Sequence, residues 1–218
     1  MFQIANIFQE GKEVEKDIKK AIQYYEKAEK KGNMFAMYEL GRIYHLGEEV
    51  EKDLQLAIKY YQKSSIKGYH ASYFFLGIIY ENGEGVEKDV KVAVKMYERA
   101  AQLGNDSAMN NVATIYRHGA PGISVNYNKA ISYFNMSAEK GNGIALFNLA
   151  TIYQNGEIGN QKSLEKAVFF FEKAVKKGNY VKTKKKFKNK TFKQKKKKRI
   201  RLFVWERSLS KTKMKRHS

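Results

Sequence analysis

His45, His70, His118 and His217 are the first candidates for acid–base or metal chemistry, because imidazole titrates near neutrality and is the commonest metal ligand. None shares a helical turn with another histidine or with a matched pair of carboxylates. The spacing of a metal site, or of a base with its orienting partner, is therefore missing. The chain has no Cys, which removes thiolate nucleophiles, thiolate metal sites and disulfide staples. Gly83-Glu84-Gly85-Val86 has the glycine spacing of a phosphate-cradling loop. Such a loop needs a strand before it and a third glycine opening the helix after it, and here a helical pattern precedes it. The expectation is a protein that is not an enzyme and uses no cofactor, no metal and no small-molecule substrate. His45 and His118 are expected to be exposed at helix ends, and the loop carboxylates to be solvated.

Recognition chemistry has more candidates. Aromatic residues at 24, 25, 60, 61, 97, 133, 134, 170 and 171, paired except at Tyr97, could stack bases, asparagines could bridge a peptide backbone, and a lysine run could meet phosphate. Their meaning depends on the elements that carry them. Gly32, Gly68, Gly104, Gly141 and Gly178 fall 36, 36, 37 and 37 residues apart, and Gly47, Gly83, Gly119 and Gly156 each follow 15 residues later. Ala21, Ala57, Ala93, Ala130 and Ala167 form a third column. A period of this length marks stacked helix pairs. The first helix of the second unit is expected from Ala36 to Leu46, with Leu40, Gly41, Ile43 and Tyr44 at helical spacing and a glycine stop at Gly47. The second helix of each unit begins at Asp17, Asp53, Asp89, Asn126 or Ser163, residues that cap free N–H groups. Within this period the paired aromatics beside the alanine column become core that packs one repeat on the next. The extra residue of units four and five lies in the inter-helix loop, where Pro121 also sits.

Leu76-Gly77, Tyr80, Gly83-Glu84-Gly85-Val86-Glu87-Lys88-Asp89, Ala93, Tyr97, Ala100 and Gly104 together resemble the Sel-one-like repeat, a relative of the tetratricopeptide repeat. Units four and five depart from it by losing the Val and Asp of the loop. The resemblance implies an all-α, right-handed α/α solenoid of five repeats, about 1–33, 34–69, 70–105, 106–142 and 143–179. First helices would line a concave groove, and the work would be that of a scaffold or adaptor. Some members have been labelled β-lactamases, but those are Cys-rich and secreted, so the label does not carry to a chain without Cys.

Two first-helix columns vary while their neighbours do not. One is Glu39, Phe75, Asn111 and Asn148, the other Asn6, Arg42, Ile78, Thr114 and Thr151. They are expected to face the groove or its rim and to contact a peptide or helix of a partner protein, a solvated face being the alternative.

After Asn179 the periodicity stops. Leu-Gly would be needed near 186–187 and Tyr near 190, where Lys186-Phe187 and Lys190 stand. Residues 180–218 hold 18 of the 42 basic residues and one of the 22 acidic ones, a net of +17 that leaves +3 for the rest. Four readings stay open. Lys195, Lys196, Lys197, Lys198, Arg199 and Arg201 fit a nucleic-acid arm or nuclear signal. The adjoining Ile200 and Leu202–Trp205 suit an anionic membrane. The segment could fold as a cap on unit five, or it could be a shifted reading frame. No long apolar run or basic-then-apolar leader is present, so a cytoplasmic or nuclear protein is expected, neither secreted nor membrane-spanning.

Overall fold

A computed structural model of the chain describes residues 1–157 and 162–176. Among these residues all regular structure is helical: α1 Phe2–Glu10, α2 Ile18–Glu29, α3 Met34–Leu46, α4 Leu54–Ile66, α5 His70–Asn82, α6 Val90–Gln102, α7 Asp106–His118, α8 Tyr127–Glu139, α9 Gly143–Asn155 and α10 Leu164–Lys176. They form the five helix pairs of a repeat solenoid. Met1–Ala145 is one compact unit, and the described residues from Leu146 to Lys176 belong to a second.

The caps explain where the helices begin. Asp17, Asp53, Asp89 and Asn126 each accept a backbone N–H two or three residues on, at 2.9–3.0 Å. The first helices use the Asn that follows the repeat glycine. Asn33 accepts from Ala36 N and Asn105 from Ala108 N. For this reason α3 starts at Met34, two residues before the start expected from hydrophobic periodicity. Gly47 ends it at φ 66°, and a Cβ there would lie 2.5 Å from Lys52 Cβ, so both conformation and space require glycine. In unit four the extra residue is absorbed by a tight turn over Ala120-Pro121-Gly122-Ile123, closed by reciprocal backbone bonds of 2.8 and 2.9 Å.

Within Met1–Ala145, α1 to α8 pack in chain order, each helix on its predecessor and its successor. Ala21, Ala57, Ala93 and Ala130 are fully buried, as are Tyr25, Tyr61, Tyr97 and Phe134 one turn later. The small residues of the first helices lie under these rings. A Cβ on Gly41 would sit 2.7 Å from Tyr61 Cδ1, and one on Gly77 2.5 Å from Tyr97 Cε1. The other aromatic of each pair adds a stack within its own repeat, and Tyr133 also reaches Glu98 of the preceding repeat at 3.5 Å. Tyr24, Tyr60 and Tyr133 are half-buried and stack on a first-helix ring of their own repeat, at 5.8 Å on Phe8, 6.1 Å on Tyr44 and 6.2 Å on Tyr116. In the unit beginning at Leu146, Phe170 stacks on Tyr153 at 5.6 Å in the same way.

Among the described residues four buried serines, Ser64, Ser65, Ser72 and Ser137, stand in columns that hold alanine in other repeats. Ser64 and Ser137 donate to the carbonyls of Met34 and Asp106, each at 2.8 Å. Ser72, fully buried in the column of Ala36 and Ala108, has a hydroxyl without a partner among the described residues. Ser72→Ala is therefore expected to stabilise the chain by about 1 kcal/mol, by removing an unpaired buried polar group. A lower melting temperature for that variant would contradict this.

Candidate functional site

The first helices position two rows of polar groups over the buried ring column. The hydroxyl of Tyr25 donates to Asn6 Oδ1 at 2.6 Å and also contacts the Gln9 side-chain oxygen. That of Tyr61 lies 3.3 Å from His45 Nδ1, and that of Tyr97 donates to Glu81 Oε2 at 2.6 Å. Gln9, His45 and Glu81 are one repeat apart, and each precedes its tyrosine by 16 residues. Burial pushes all three phenols well above the usual tyrosine range, so they remain hydrogen-bond donors at any physiological pH.

These groups also tie repeat to repeat. Gln9 reaches Glu39 Oε2 at 3.5 Å, and Arg42 Nε donates to the same oxygen at 3.0 Å. Burial works against the charge of Arg42, and the Glu39 carboxylate more than offsets it. His45 Nε2 lies 2.9 Å from Glu84 Oε2, linking unit two to the loop of unit three. His45 is thus not the exposed helix-end residue expected, since its side chain is 12% exposed, and Glu84 is not simply solvated. Hydrogen bonds from Asn82 and His45 hold the Glu84 carboxyl below its ordinary value. His118 is exposed, as expected.

Glu39 and Arg42 form the ion pair just described. Phe75 is half-buried and stacks on Tyr61, with ring centres 5.4 Å apart and planes 10° apart. Asn111 is hydrogen-bonded to Tyr97. Thr114 turns its hydroxyl onto its own helix, donating to Asn110 O at 2.9 Å, and within the second unit Thr151 does the same to Phe147 O. Asn148 also lies on α9 in that second unit. Lys195, Lys196, Lys197, Lys198, Arg199 and Arg201 lie outside the described residues, as does the boundary expected after Asn179.

An aromatic cluster beside Glu39 escaped the column analysis. Phe2 meets Phe35 at 6.0 Å, Phe35 meets Tyr69 at 5.1 Å, Tyr69 meets Tyr38 at 5.0 Å, and Tyr38 meets Phe75 at 5.9 Å. Phe35 is 41% exposed and the others are half-buried. Burial, with help from Glu39, pushes Tyr38 up to about 12. A signal existed in the sequence: Tyr69 stands where Asn33, Asn105 and Asn142 stand in other repeats. In unit four the corresponding first-helix residues are Asn110 and Asn111, so the face passes from rings to amides.

Among the described residues no group of three His, Asp or Glu could hold a metal ion, and no helix is long and apolar enough to cross a membrane. The face offers rings, amides, hydroxyls and the Glu39–Arg42 ion pair, groups that can contact a ligand.

The family model for the Sel1 repeat matches residues 1–33, 35–69, 70–105, 106–142 and 143–179. A Sel1 repeat protein from Oxalobacter formigenes is 32% identical with a TM-score of 0.72, over 80% of this chain and 71% of that one. The protein c5321, a protective antigen of uropathogenic Escherichia coli with an SLR fold, is 30% identical with a TM-score of 0.73. That match covers 81% of this chain but 38% of the antigen. A Sel1 repeat protein from Klebsiella pneumoniae, 20% identical with a TM-score of 0.52 over 84% of this chain and 88% of that one, shares the fold. No curated protein matches the chain.

Proposed function

Because the chain belongs to the Sel1 repeat family, whose members are in general non-enzymatic protein–protein interaction scaffolds, we propose that it is an adaptor whose first-helix face takes a peptide or helix of a partner protein. The observation that carries this is the contrast within each repeat. The alanine and ring columns hold the same residue types in unit after unit, whereas Glu39, Phe75 and Asn111, and Arg42, Ile78 and Thr114, differ across units two to four along the same helices, before Asn148 and Thr151 repeat the last of each. Side chains that pack the fold repeat with the fold, and side chains that read a ligand need not.

The test uses Arg42→Ala with Thr114→Ala. Neither residue is buried, and the recorded hydrogen bond of each stays within its own helix, to Glu39 and to Asn110. The double variant is expected to melt like the parent and to change the set of partners that copurify with it. An unchanged partner profile would remove the first-helix face from the function. Asn111→Ala is less informative, because it also removes a hydrogen bond to Tyr97.

The charge of residues 180–218 favours a second activity. In this reading the solenoid ends near Asn179, and a basic segment with net charge +17 binds nucleic acid or an anionic membrane through Lys195–Arg199 and Arg201. Affinity of the full chain for RNA or anionic vesicles should fall steeply with added salt, because phosphate contacts release condensed counterions. Removal of 180–218 should abolish it, and salt-insensitive binding or binding by residues 1–179 would refute it.

A further inference from the structure

We propose that the first-helix face of repeats one to three is matched to a cationic segment of a partner protein, one in which arginine or lysine alternates with apolar side chains. The proposal rests on the reading of that face as the binding surface. In a chain with 42 basic residues, the first helices of repeats one to four, α1, α3, α5 and α7, hold two, Arg42 and Arg117, and no lysine. The second helices of the same repeats, α2, α4, α6 and α8, hold nine. The first helices carry Glu10, Glu39, Glu81 and Asp106, so their net charge is negative while that of the second helices is positive. A compositional bias toward lysine would populate both sets alike. A cationic ligand is therefore attracted to one face of the helix pairs and repelled by the other.

The aromatic cluster supplies the rest of the match. Arginine and lysine bind over exposed rings, arginine best, while their neighbours' apolar side chains fill the gaps between rings. Elsewhere the chain already places its own lysines over rings, Lys20 over Phe8 and Lys63 over Tyr60 among them. None of the recorded contacts of this kind among the described residues involves Phe2, Phe35, Tyr38, Tyr69 or Phe75. Tyr69 carries a cost that points the same way. It occupies the N-cap of α5 and makes no side-chain cap bond, whereas Asn33 and Asn105 cap α3 and α7. The cap is forgone, and the ring gained sits between Phe35 and Tyr38, beside the Glu39 carboxylate.

The test follows from that exchange. A synthetic peptide alternating arginine and leucine is titrated into the full chain at low ionic strength, beside a counterpart with glutamate for arginine. The arginine peptide is expected to bind about tenfold more tightly or better. Tyr69→Asn restores the cap, so it should keep or raise the melting temperature while weakening the arginine peptide by about fivefold. Equal affinity for both peptides, lost together in Tyr69→Asn, would overturn the cationic match and leave the face as a binding surface. Binding unaffected by Tyr69→Asn and by Arg42→Ala with Thr114→Ala would overturn both. Trp205 is the only tryptophan. If its emission without peptide differs between the parent and Tyr69→Asn, the face is occupied by the chain's own basic segment, and the assignment to a partner fails.

Discussion

Tyr61→Ala is expected to cost about 3–5 kcal/mol, the range for truncating a fully buried aromatic. The ring has no exposed surface and lies against Gly41, which has no side chain with which to fill the space left behind. It also stacks on Phe75, packs against Tyr38 and holds His45 through its hydroxyl. A loss of this size is a large part of the stability of an ordinary domain. In a fold where each repeat contacts its neighbours, it should separate unfolding of the first repeats from that of later ones. Tyr61→Phe should cost about 1 kcal/mol, because it removes the hydroxyl and keeps the ring. Phe134 and Phe171 already stand at that column in units four and five. Urea denaturation of the two variants checks both values, and equal losses would mean that the hydroxyl rather than the ring dominates.

Ala93→Leu is the opposite perturbation, with an expected loss of roughly 1–3 kcal/mol from overpacking. Ala93 is fully buried on α6, one turn before Tyr97, and α6 packs against both α5 and α7. The Tyr97 ring is already so close to Gly77 that it would touch any Cβ placed there. The helices cannot separate to admit a leucine without lifting that ring. A neutral result in thermal melts would show that the alanine column is not a contact.

Asp17, Asp53 and Asp89 cap their helices as their types and positions require, because capping is a local interaction within a few residues of sequence. Asn33 is as local, but hydrophobic periodicity does not register an N-cap, so the expected start of α3 was late. The fate of His45 could not be read from a helix end, because its partners are distant in sequence: the rings of Tyr61 and Phe75 and the Glu84 carboxylate, 39 residues away in the next repeat's loop. Tyr24, Tyr60 and Tyr133 look equivalent to their neighbours in any one-dimensional pattern. Their neighbours enter the core, while they stack on a ring of their own first helix, a distinction made by the direction of side chains from adjacent helical positions. The aromatic cluster around Tyr69 joins α1, α3, the α4–α5 turn and α5, and no single column contains it.

The central claim, that partners sit on the first-helix face, is tested most directly by site-specific photocrosslinking. A photoreactive phenylalanine analogue is placed at Phe35 and at Thr114 on the first helices, and at the exposed Lys59 and Lys95 on the second. Crosslinks to a copurifying partner from positions 35 and 114, with none from 59 and 95, are the predicted result. Crosslinks from 59 and 95 with none from 35 and 114 would contradict it.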